Sequence, residues 1–217
     1  MCNSSDYLVD CDKSLKPLII TFGGICGNIS QPLFEFKTFL QKNIDCHFIY
    51  MRDSNQSWYH NGVLGLGDTI DELKQNIIKI IETINYSKII TIGSSMGGFA
   101  SLLFGRFINV DGIISFSPQT FIDKCNRSIY NDSRWTNQIK KLYSNVDEVH
   151  GDLLKLDFDG IKVYIIYGNK DELDKIHSER MRIKKNIIVS SYDGNHNVVR
   201  TLRDDGTLVK IINGMID

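Results

Sequence analysis

Short apolar runs rich in β-branched and aromatic residues alternate with stretches of helical spacing along most of this 217-residue chain. The runs are 18–22, 46–51, 88–92, 112–116, 161–167 and 186–192. Strands separated by helices cross over and lie parallel, so the alternation predicts βαβ units in one sheet. All runs but the second are nearly continuously apolar, as strands covered on both faces must be. The expected fold class is therefore α/β: a three-layer sandwich whose mostly parallel central sheet has about six or seven strands, with helices on both faces.

Between the second and third runs, residues 69–85 set Ile70, Leu73, Ile77, Ile80, Ile81 and Ile84 on one helical stripe. Asp68 is the expected N-cap, with Asp71 and Glu72 in the first turn, where negative charge is favourable. Further helices are expected over 95–107, over 34–43 and along the C-terminal segment. Residues 119–160 break the alternation; they are polar, helix-prone near Trp135 to Tyr143, and lie between two neighbouring strands, so they are expected to form an inserted, cap-like segment. No repeat or linker divides the chain, and its length suits a single domain over 1–217.

Composition narrows the function classes. With 25 Lys+Arg against 26 Asp+Glu the formal charge is -1, which points away from nucleic acid as a partner. The apolar runs fall far short of the roughly 20 residues that cross a bilayer, and residues 1–15 lack the basic start and apolar core of a secretory signal. The cysteines Cys2, Cys11, Cys26, Cys46 and Cys125 are odd in number and scattered, without metal-ligand spacing. They are expected to be reduced thiols in a cytoplasmic protein with no metal.

The chemistry is concentrated after the third run, in Gly93-Ser94-Ser95-Met96-Gly97-Gly98, followed at once by a helical stretch. A G-x-S-x-G frame between strand and helix turns the chain sharply and exposes its central serine at a helix N-terminus. Ser95 is the expected nucleophile. A serine hydroxyl needs a base and an acid to orient that base. Among five histidines, His196 follows the last strand in a loop, while His60 is the rival. For the acid, Asp171 leaves the preceding strand in a turn-rich loop, with Glu172, Asp174 and Asp193 as alternatives. The oxyanion needs two backbone donors. Met96 supplies one, and Gly24, in Thr21-Phe22-Gly23-Gly24-Ile25, is assigned the other, with Ile25 second. A phosphate loop is the competing reading of Gly23, Gly24 and Gly27, but neither G-x-G-x-x-G nor the Lys-Ser/Thr ending is present.

On these residues the sequence resembles the α/β-hydrolase family, from about residue 16 to 217. The resemblance rests on the Gly93 to Gly98 elbow, the Phe22-Gly23-Gly24 loop, the Gly168 to Asp171 loop and His196. Phe22-Gly23 stands where many members have His-Gly, and the short leading part implies a minimal sheet. The run Trp58 to Gly67, together with Phe116-Ser117-Pro118-Gln119, resembles small bacterial members of the serine esterase and acyl hydrolase type. The resemblance implies ester or thioester cleavage through a covalent acyl-enzyme without cofactor. Two alternatives stand beside it: acyl transfer to a glycan or other hydroxyl, and a catalytically silent binding protein. The expected partner is a small-molecule or glycan-linked acyl substrate. Ile25, Trp58, Tyr59 and His60 are the expected substrate-binding residues, with Trp135 and Tyr143 of the insert closing the site from above.

Overall fold

The computed structural model of the protein describes residues 6–25, 33–143 and 148–217; Cys2, Cys26 and Gly27 lie outside them. In chain order the elements are β1 (Tyr7–Asp10), β2 (Lys16–Phe22), α1 (Lys37–Asn43), β3 (His47–Met51), α2 (Ile70–Ile81), β4 (Tyr86–Ser94), α3 (Met96–Ile108), β5 (Gly112–Phe116), α4 (Lys124–Ile129), α5 (Thr136–Leu142), α6 (Glu148–Gly151), β6 (Lys162–Gly168), α7 (Glu172–Glu179), β7 (Ile187–Tyr192), α8 (Val198–Asp204) and α9 (Thr207–Ile216). The strands form one seven-stranded sheet in the order β1-β3-β2-β4-β5-β6-β7. All pairings are parallel except that of β1, which runs antiparallel along β3.

Alternation along the strands divides the core into two layers. Leu18, Ile20 and Phe22 of β2 face Leu73, Ile77, Phe99 and Leu103 of α2 and α3, whereas Ile19 joins Leu40, Leu202, Leu208 and Ile212 of α1, α8 and α9 on the other side. The segment between β5 and β6 adds Ile122, Ile139, Leu142, Leu153 and Phe158 to the first layer.

Two helix boundaries differ from expectation for local reasons. Thr69, not Asp68, caps α2, its hydroxyl accepting the Glu72 N–H at 3.2 Å, while the Glu72 carboxylate returns to the Asp68 N–H at 2.9 Å. The helix ends at Ile81, yet tighter turns from Ile80 and Ile81 to Thr83 and Ile84 keep Ile84 on the buried stripe. Helix α1 begins only at Lys37 because Phe36 sits at φ 67°, a left-handed conformation that no helix interior accepts.

Register aligns the carboxyl ends of the strands. Phe22 lies opposite both Met51 and Gly93, Ser94 opposite Phe116, Phe116 opposite Ile166, and Gly168 opposite Tyr192. The loops that leave β2, β4, β6 and β7 therefore open at one edge of the sheet, where parallel sheets build their sites. Among the described residues no helix is long and apolar enough to cross a membrane.

Candidate active site

The turn from β4 into α3 is strained. Ser95 takes φ 56° and ψ -119°, a conformation that costs a β-carbon residue about 1–3 kcal/mol and persists only where neighbours enforce it. Here the Ser95 N–H donates to Phe116 O at 2.8 Å and the Phe99 N–H to Ser95 O at 3.0 Å. Glycine is required on both sides: a Cβ on Gly93 would lie 1.9 Å from Gly97 O, and one on Gly97 would lie 2.0 Å from Phe22 O. The elbow is thus packed against its own first turn and against the end of β2.

A chain of hydrogen bonds leads away from the serine. Ser95 Oγ lies 2.9 Å from His196 Nε2, and His196 Nδ1 lies 2.7 Å from Asp174 Oδ2. A carboxylate only accepts, so Nδ1 carries the proton and Nε2 is left to accept from the serine hydroxyl. Asp174 is wholly buried in the first turn of α7, and its other oxygen accepts from Arg134 Nη1 at 2.8 Å. Burial opposes its charge, but the bonds from His196 and Arg134 outweigh burial and hold Asp174 below the usual carboxylate range.

Ser95 and His196 open on a cavity of about 720 Å³, also lined by Gly23, Gly24, Ile25, Glu35 and Trp135. Tyr59 pins the loop from behind, its hydroxyl donating to Gly23 O at 3.0 Å. The Gly24 N–H donates to Glu35 Oε2 at 2.8 Å. Met96 opens α3, so its N–H belongs to the first turn, where no intrahelical acceptor exists. Lys37, Arg52, Arg200 and Arg203 bring positive charge to the cavity wall.

No protein-family model matches the sequence, and no curated protein matches it. Solved structures match over nearly its whole length. The capsule O-acetyltransferase of Neisseria meningitidis serogroup A is similar with a TM-score of 0.70 at 18% identity, over 97% of this chain and 93% of that one. The fluorophosphonate-binding serine hydrolase F of Staphylococcus aureus gives 0.62 at 16% identity, over 95% and 85%. The α/β hydrolase domain-containing protein 10 from mouse gives 0.61 at 16%, over 97% and 93%. The chain has the α/β-hydrolase fold.

Within this α/β-hydrolase fold the loops after β4 and β7 bring Ser95 and His196 together, but the carboxylate that meets the histidine is Asp174 and not Asp171. Asp171 does not make the bond to His196 Nδ1. It is the N-cap of α7, its carboxylate accepting the Asp174 N–H at 2.9 Å, and that cap turns Asp174 one helical turn later toward the histidine. Asp171, Asp174 and His196 present possible metal-ligand atoms within 4.8 Å of one another. Both Asp174 oxygens are already hydrogen-bonded, by His196 and by the Arg134 guanidinium.

Trp58, Tyr59 and His60 do not line the cavity. The cause is Asp53, whose carboxylate accepts the N–H groups of Asn55, Ser57 and Tyr59 and folds the loop inward. Trp58 is buried, with Nε1 donating to Gln119 Oε1 at 2.9 Å. His60 is buried against Phe99, its Nδ1 3.0 Å from Trp58 O, so it is not positioned as the base for Ser95. Ile25 and Trp135 do reach the cavity. Sequence reasoning missed Glu35, which reads as the start of a helix, and Arg134, whose bond to Asp174 joins residues 40 apart in sequence.

Proposed function

We propose that this protein is a serine hydrolase that cleaves a carboxylic ester or thioester through a covalent acyl-enzyme. The observation that carries the reading is the hydrogen-bonded chain from Ser95 through His196 to Asp174, set on a strained elbow. Ser95 Oγ attacks the acyl carbonyl while its proton passes to His196 Nε2. The negative charge that develops on the carbonyl oxygen is met by the N–H groups of Met96 and Gly24. His196 then gives the proton to the departing alkoxide or thiolate, the bond to the leaving group breaks, and the acyl group stays on Ser95. Water repeats the sequence and releases the acid. Asp174 holds the imidazole in the required tautomer and supports the imidazolium.

A second reading, transfer of the acyl group to a hydroxyl, is favoured by the likeness to a capsule O-acetyltransferase. It shares every step up to the acyl-enzyme and differs only in what attacks it. Ser95 should label with a fluorophosphonate, and Ser95→Ala should abolish labelling and lower turnover by roughly 10⁴ to 10⁶-fold. Equal labelling of both proteins refutes the nucleophile. Product analysis with and without an alcohol acceptor then separates free acid from a new ester.

A further inference from the structure

Glu35 sits just before α1 and faces the cavity that holds Ser95 and His196. Its Oε2 accepts the Gly24 N–H at 2.8 Å. Gly24 lies between this carboxylate and the proposed nucleophile's residue: a Cβ built on it would lie 3.4 Å from Glu35 Oε2 and 3.7 Å from Ser95 Cβ. Gly24 N–H is the donor assigned to the substrate's carbonyl oxygen, and one N–H directed at a carboxylate is not available to a second acceptor in the same direction. An ionised carboxylate beside a developing oxyanion also repels it, in the place where catalysis requires the opposite charge.

We propose that Glu35 is a working group of this site: as a carboxylate it occupies the Gly24 donor and keeps out the substrate's carbonyl oxygen, and as the neutral acid it gives that donor up. The inference rests on Ser95 being the nucleophile. Protonation weakens the bond because a neutral carboxyl accepts less strongly than a carboxylate.

The proton is accessible near neutrality. Burial of the carboxyl pushes Glu35 up to about 7, against the pull of the Gly24 bond and of His196. The other charged groups of the cavity are Lys37, Arg52, Asp53, Arg200 and Arg203, with Tyr59 behind the loop. Asp53 is turned into its own loop by three N–H bonds, and the Arg52 guanidinium is held by Asp6 through Nε at 2.6 Å. As pH rises through about 7 the carboxylate form takes over and activity falls.

The test is kcat/KM for a short uncharged ester between about pH 6 and 9, in wild type, Glu35→Gln and Glu35→Ala, with fluorophosphonate labelling of Ser95 followed in parallel. In the wild type the rate should fall roughly tenfold per pH unit once Glu35 is ionised, and both variants should lack that limb, exceeding wild type tenfold or more at the alkaline end. Variants that label normally but keep the alkaline limb, or fall below wild type at every pH, overturn the role of Glu35 alone. Absence of Ser95 labelling at any pH overturns the nucleophile and this inference together. Glu35→Gln, close in shape, guards against a folding defect in Glu35→Ala.

Discussion

Helix α7 carries half of each of two histidine–aspartate pairs, and burial makes them opposites. Asp174 meets His196 at 2.7 Å, and three residues on, His177 Nε2 meets Asp132 at 2.9 Å. Arg134 bridges the pairs, bonding to both carboxylates. His177 is fully buried and stacked on Phe121 with ring centroids 3.9 Å apart. Burial drives it down to about 4 despite Asp132, so it is a neutral donor at neutral pH. The His196 side chain is 35% exposed, and its second nitrogen faces the Ser95 hydroxyl. Equal partner chemistry therefore gives a structural fastener in one place and a candidate base in the other. What separates them is an accessible nitrogen pointed at a reactive group.

The largest effect should separate the pairs cleanly. His196→Ala should lower turnover by about 10⁴ to 10⁶-fold, and Asp174→Asn by about 10⁴, because the groups act as one unit. His177→Gln should instead lower stability while the folded fraction keeps its turnover. The pH dependence adds a second contrast. Folding holds His177 at about 4 against an ordinary 6.5, so between these values the unfolded chain binds more protons. Stability should thus fall as pH drops from about 6.5 toward 4, by up to roughly 3 kcal/mol from this group. Denaturant titrations across that window should show the slope flattened in His177→Gln. An unchanged slope, or a turnover loss matching His196→Ala, removes the distinction.

The same contrast explains what the sequence reveals. Parallel strands covered on both faces are written as apolar runs, so β2 to β7 are legible. Edge strand β1 is not, because four residues between Asp6 and a polar turn carry no comparable signal. Ser95 and His196 stand at loop positions that topology alone brings to one edge. Choosing Asp174 over Asp171 depends on where α7 begins, a matter of one residue, since a residue in the loop and one a turn later face different neighbours. Trp58 to His60 read as pocket wall in the sequence because no local pattern announces that Asp53 gathers three N–H groups and folds them inward. Glu35 is silent for a similar reason: its partner is a backbone N–H eleven residues earlier.

A smaller effect tests the bridge itself. Arg134 takes part of the negative charge of Asp174 away from His196. In Arg134→Gln the Asp174 carboxylate keeps its bond to His196 but loses the one from the guanidinium that helps to hold it below the usual carboxylate range. Turnover of the folded protein should fall, by less than about tenfold, with kcat lowered more than KM is raised. A residue that only braced the insert would lower the folded fraction and leave kcat of the folded protein where it was.

The smallest effect is expected at Asp171, whose carboxylate caps α7 and lies 3.9 Å from Arg134 Nη1. Asp171→Ala removes an N-cap, which costs about 1 kcal/mol of stability. The first turn of α7 remains tied through Asp174 to His196 and Arg134, so the acid stays in register with the imidazole. Turnover should therefore stay within about threefold of wild type while the melting temperature falls by a few degrees. The opposite result, a loss approaching the roughly 10⁴ expected of Asp174→Asn, would mean that Asp171 rather than Asp174 serves the histidine during turnover. Measured side by side, the two variants decide whether the acid is the residue that begins the helix or the one that the helix carries.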